Sequence, residues 1–193
     1  MKPWRRLCVL LFLSMGLTAC ITDVWTGATI IYDRHKWYRK LDDFKLAARV
    51  NRDLYADQAF KCSTCAVEIA VFHQDVLLAG HVPTHKLRRE AAARIKAIPG
   101  IRHFYDELAI THGVSDPVLD TWITTKVRSE ILADASIDPN QFKIVTADRV
   151  VYLMGDVLPG QAKKVIQFAR EWVEVKRVVT LFQYYHLSTS AQK

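Results

Sequence analysis

Two cysteines in "KCSTC", Cys62 and Cys65, carry a spacing used by dithiol exchange and by metal sites. In an exchange site the first thiol opens a helix, whose N-terminal dipole stabilises the thiolate; here the pair follows a helical segment and leads into a strand. A metal would need at least one or two more ligands, and His73, His81 and His85 hold no ligand spacing. In an oxidising compartment the plain expectation is a disulfide between Cys62 and Cys65, with free thiols, redox exchange and metal binding as alternatives. No G-x-S-x-G, P-loop or H-E-x-x-H occurs, and acidic pairs such as Asp42-Asp43 and Asp106-Glu107 are sequence neighbours that do not face one another. Catalysis, a metal and a cofactor are therefore not expected.

A third cysteine has a different chemistry. Lys2, Arg5 and Arg6 precede the apolar run "LCVLLFLSMGL", too short to span a bilayer and built like a secretory signal. It ends in Leu17-Thr18-Ala19-Cys20, which resembles the bacterial lipobox. That resemblance implies removal of residues 1–19 and acylation of Cys20; several acyl chains, at about 0.8 kcal/mol per buried methylene, anchor a protein firmly. The alternative is an ordinary signal cut after Ala19 that leaves Cys20 a free thiol. Ile21 follows in place of the aspartate that marks inner-membrane retention, so the resemblance implies the outer membrane, on its periplasmic face. Removing the signal leaves 24 basic against 20 acidic residues, from 27 against 20 in the whole chain. So mild a balance argues against nucleic acid as a partner.

The third group of interest lies in "LDTWITTKVRSEIL", residues 119–132. At helical spacing Ile123, Val127 and Ile131 form the stripe that should face a core. Trp122 points to nearly the opposite side, together with Thr125, Ser129, Leu132 and Ala133, and Lys126 and Arg128 flank that face. An apolar wedge bordered by cations suits a membrane surface, where the indole sits at headgroup level and each cation contributes roughly 1 kcal/mol near anionic lipid. Lys163 and Lys164 could extend the basic rim. Packing of Trp122 against a neighbouring domain is the alternative.

These residues sit on a unit written twice. "AARVNRDLYAD" (47–57) aligns with "TTKVRSEILAD" (124–134), and "VEIAVFHQDVLLAGHV" (67–82) with "FKIVTADRVVYLMGDV" (142–157). Each copy reads as a helix (about 43–56 and 119–133), two strands joined by a tight turn, a second helix (about 84–97 and 160–173) and a last strand. The expected fold is α+β: two tandem αββαβ domains, each a small three-stranded mixed sheet packed by two helices. The expected organisation is a signal at 1–19, a lipidated N-terminus and tether at 20–40, domains at 41–112 and 117–186, and a tail at 187–193. The turn-rich "THGVSDP" joins the domains. The core stripe is shared, since Leu46, Val50 and Leu54 match Ile123, Val127 and Ile131. The outer face is not: Lys45, Ala48, Arg52 and Tyr55 stand where the second copy has Trp122, Thr125, Ser129 and Leu132. Copy two also lacks the cysteine pair.

The αββαβ order, the apolar-Gly steps Leu78-Ala79-Gly80 and Leu153-Met154-Gly155, and the endings "PGIRHFYDEL" and "EVKRVVTLF" resemble the BON domain. Two such domains behind a lipobox are similar to the dual-BON outer-membrane lipoproteins. The resemblance covers about residues 41–186 and does not extend to "KCSTC". It implies a non-enzymatic protein that supports outer-membrane integrity. It also implies that the first helix of the second domain binds anionic, phosphatidylglycerol-like phospholipid through Trp122, Thr125, Lys126, Arg128, Ser129, Leu132 and Ala133. Envelope proteins are further candidate partners, and a periplasmic protein-binding or chaperone-like module is the alternative function.

Overall fold

The computed structural model describes residues 29–185, with side chains described from residue 39. Helix α1 spans Thr29–Leu54, so regular structure begins inside the segment expected to be a tether. No proline or glycine interrupts those residues, and nothing in the backbone stops the helix from continuing. Strands β1 (Ala66–Phe72) and β2 (Asp75–Val82), helix α2 (His85–Lys96) and strand β3 (His103–Ile110) complete the first domain. The second repeats the order with α3 (Pro117–Ala133), a single 3₁₀ turn (Pro139–Gln141), β4 (Phe142–Ala147), β5 (Val150–Val157), α4 (Pro159–Arg170) and β6 (Arg177–Tyr184). Each sheet has its second strand in the middle, antiparallel to the first and parallel to the third.

The two hairpins share one device. Each turn has two residues at positive φ, His73 and Gln74 in one and Asp148 and Arg149 in the other, as a two-residue hairpin of matching twist requires. None is glycine, so the strain must be met elsewhere. In the first domain the Asp43 carboxylate accepts both turn N–H groups, from His73 and Gln74, at 2.8 Å each. In the second, Asp120 accepts those of Asp148 and Arg149, also at 2.8 Å. The first helix of each domain thus pins the first hairpin.

The apolar-Gly steps also have a cause. A Cβ on Gly80, at φ +95°, would lie 2.1 Å from the Ala66 carbonyl oxygen, and one on Gly155 would lie 2.5 Å from that of Gln141. Only glycine lets the edge strand approach there.

Alternation along the central strands divides the interior into three cores. Val76 and Leu78 face α1 and α2 in the first domain, and Val151 and Leu153 face α3 and α4 in the second. The intervening residues point the other way. Leu77 and Ala79, with Ala70, Phe72 and Tyr105, pack on Val145, Ala147, Tyr152, Met154 and Leu181 of the second sheet. The sheets therefore lie back to back between their helices, and the two domains share a buried apolar interface.

Candidate functional site

Helix α3 is held from both ends and from below. Asp116 caps it by accepting the Leu119 N–H at 3.0 Å, and Pro117 follows in the first turn, where its missing N–H costs nothing. Its buried side is Asp120, Ile123, Val127 and Ile131. Burial raises the Asp120 pKa, and the turn N–H groups of Arg149 and Asp148 oppose that rise.

The outer side differs from the expectation at its tryptophan. Trp122 does not stand free; it meets Trp172 edge to face, with centroids 5.5 Å apart and planes at 81°. Trp172 follows the end of α4 and is half-buried against the core. The Lys126 ammonium lies 5.3 Å from both ring centroids. Beneath the pair, Trp172 Nε1 and Glu130 Oε2 are buried without a well-formed hydrogen bond. Burial raises the Glu130 pKa, Glu171 adds to the rise, and the nearby indole N–H and Lys126 oppose it. Trp122 is still 38% exposed, so its ring is partly structural and partly presented to solvent.

The large apolar residues of α3 that protrude most are Leu132, 70% exposed, and Val118, 81% exposed, the second not among the residues expected from the sequence. Val118 lies one turn before Trp122 on the same side, a position the helical period alone would have supplied. Between them the hydroxyls of the exposed polar residues are turned onto the helix backbone. Thr121 donates to the Pro117 carbonyl at 2.7 Å, Thr125 to Thr121 and Ser129 to Thr125 at 2.8 Å each. With those donors satisfied by the helix itself, the face loses little hydrogen bonding when water is removed. Ala133 is exposed at its end.

The cations are unequal. Arg128, on the far flank, donates to the Ile144 carbonyl at 3.1 Å and overhangs a cleft of about 640 Å³ between the domains, where Tyr55, Glu68 and Lys143 also lie. Lys164 is not part of a free rim: it bonds Asp134 and Ser136 Oγ at 2.7 Å each, and it holds the Asp134 pKa down at about 2. Lys163 is exposed on the adjoining face of α4.

The other chemistry-bearing residues lie elsewhere. Cys62 and Cys65 are joined, with an S–S distance of 2.04 Å. His81 and His73 are in the domain interface, paired with Asp148 at 2.6 Å and Asp156 at 2.7 Å. Among the described residues no group of three or more His, Cys, Asp or Glu side chains could hold a metal. No helix among them is long and apolar enough to cross a membrane. Cys20 lies outside the described residues.

A duplicated αββαβ unit with one helix face recast in the second copy defines the class of this protein. Residues 42–111 and 119–184 each match the BON domain, and the chain belongs to that family. It is 27% identical over 190 residues to the outer membrane lipoprotein DolP of Haemophilus influenzae, which spans 95% of this chain and 98% of that protein. It is 28% identical over 147 residues to a 21 kDa hemolysin of Actinobacillus pleuropneumoniae, over 75% of each chain. To the osmotically-inducible protein Y of Escherichia coli it is 26% identical over 140 residues, 70% of this chain and 69% of that one.

Proposed function

We propose that this protein is an outer-membrane lipoprotein, anchored through acylated Cys20 on the periplasmic face, whose second domain lays the outer face of α3 on anionic phospholipid and so supports envelope integrity. The observation that carries the reading is the combination on that face: Val118 and Leu132 protrude while the hydroxyls of Thr121, Thr125 and Ser129 are spent on the helix backbone. Such a surface enters a headgroup layer with little loss of hydrogen bonding, and Lys126 and Arg128 beside it attract phosphate. The first domain has the same core, with exposed Leu41 and Phe44 on its helix, but exposed Lys45 and Arg52 hold the places of Trp122 and Ser129. Likeness to DolP along nearly the whole chain supports the same cellular setting.

The test is co-flotation with vesicles, using the chain from Ile21 onward so that no acyl group contributes. Vesicles of phosphatidylcholine with about one quarter phosphatidylglycerol should bind it, and added salt should weaken the binding. Equal binding to pure phosphatidylcholine, or none to either, overturns the reading. Suppression of client aggregation without lipid would instead favour the protein-binding alternative.

A further inference from the structure

The duplication places the same two positions of each domain at the interface: the first residue of the hairpin turn and the residue that follows the central-strand glycine. In the first domain both are histidine, His73 and His81; in the second both are aspartate, Asp148 and Asp156. Back-to-back packing crosses them. His73 Nδ1 lies 2.7 Å from Asp156 Oδ2, and His81 Nδ1 lies 2.6 Å from Asp148 Oδ2. Two copies of the first domain packed this way would oppose histidine to histidine, and two of the second would oppose aspartate to aspartate. Only the unlike pairing satisfies both contacts.

The His81 ring is 2% exposed, and its second nitrogen, Nε2, lies 3.0 Å from the carbonyl oxygen of Gly113 in the joint between domains. A carboxylate faces one ring nitrogen and a carbonyl the other, and neither can donate. Both contacts are hydrogen bonds only when the ring is an imidazolium. A neutral ring would set one lone pair against an acceptor.

We propose that the two His–Asp pairs are a proton-dependent clamp that closes the domains on each other and fastens the joint, and that the clamp loosens as pH rises and the histidines lose their protons. The sign follows from the geometry: the contacts are complete with the rings charged, so the clamp is held at acid pH and released on the alkaline side. The other charges at the interface do not reproduce this response. Beside His73, Asp156 also accepts from Arg102 at 3.0 Å, and Arg102 is paired with Asp75, which takes His103 as well; the guanidinium stays charged throughout. Phe72 stacks on the His73 ring at 4.0 Å and carries no charge. Beside His81, Asp148 has Asp120 as a like-charged neighbour, which keeps Asp148 in need of a cation. Arg177 stands 3.9 Å from Glu107. In the cleft, Lys143 is pushed down by burial and by Arg128, and Glu68 is pushed up by burial. A Lys143→Met control removes the one cation there whose pKa is pushed down from the usual lysine range.

The joint supplies a readout. Val114 is 93% exposed, and its peptide bond to Gly113 is held by the His81 contact. With the full chain in detergent micelles, thermolysin cleavage at that bond, corrected against a free peptide of the same sequence, should be at least about fivefold faster at pH 8.5 than at pH 6, because local opening precedes cleavage. His81→Gln should cleave at the faster rate at both values, and Lys143→Met should behave as the parent protein. On the unsubstituted chain, ¹⁵N signals of the His81 ring should show two bound protons at pH 6. A single ring proton at pH 6, or cleavage that does not change with pH in the parent chain, overturns the clamp. Failure of His81→Gln to fold leaves both measurements on the parent chain to decide.

Discussion

Leu132 offers a cleaner test of membrane insertion than Trp122, because little of it is packed. It is 70% exposed, so replacing it should leave stability within about 0.5 kcal/mol of the parent protein. Full burial of a leucine side chain is worth about 1.5–3 kcal/mol, and scaling by the fraction still in water leaves about 1–2 kcal/mol to be gained on insertion. Leu132→Gln forfeits that gain without adding charge, so binding to phosphatidylglycerol-containing vesicles should fall roughly 5- to 30-fold with its salt dependence unchanged. Leu132→Glu adds a repelled carboxylate at about 1 kcal/mol, a further loss of roughly fivefold that salt should partly restore. Lys45→Glu on the matching face of the first domain should change binding less than about threefold. Co-flotation at two ionic strengths, with thermal melting alongside, separates these contributions. Should Leu132→Gln bind like the parent while melting normally, apolar insertion through α3 is wrong, and whatever lipid binding remains is electrostatic.

The Trp122 pair makes a different prediction. Trp122→Ala loses the edge contact with Trp172, about 0.5–1.5 kcal/mol, and one of the two rings under Lys126, about 0.5–1 kcal/mol; melting should drop by roughly 3–8 °C. A double-mutant cycle with Trp172→Ala should show non-additivity, and strict additivity would mean that the rings do not cooperate. Tyr152, buried in the interface between the sheets, has its pKa pushed up to about 12 by burial first and Glu107 next, against the opposing Arg177. Its neutral form is favoured by folding, so its contribution is intact below the unfolded value near 10 and is lost as pH climbs from about 10 through 12; Tyr152→Phe should flatten the fall in unfolding free energy over that window, by about 1–2 kcal/mol after allowance for solvent screening. Intact mass spectrometry of protein extracted from envelopes should find a mature chain that begins at Cys20 and carries two or three acyl groups. An unmodified thiol there would remove the anchor from the proposal.

The alternating and helical periods of the chain, read twice over, were enough to place the four strands of the hairpins, the closing strands and the helices of both domains, apart from the early start of α1 at Thr29. Those features depend on contacts between near neighbours, and the duplicated pattern repeats each of them. The core side of α3 was legible for the same reason, since Ile123, Val127 and Ile131 are set by the helical period alone. The exposed side was legible only in outline. The period places Trp122 opposite the core, but its partner Trp172 is 50 residues away, and no local signal brings the end of α4 beneath it. Lys164 read as a free cation because Asp134 reaches it through space. The largest difference is the interface between the domains. Leu77, Ala79, Tyr152 and Met154 belong to the near-continuous apolar runs "VLLA" and "VVYLM", the pattern of strands buried on both faces, but such a run does not say what covers the second face. Back-to-back packing, and with it the pairing of His73 and His81 with two aspartates, is decided by which second faces find each other, a long-range choice that periodicity within one domain does not encode.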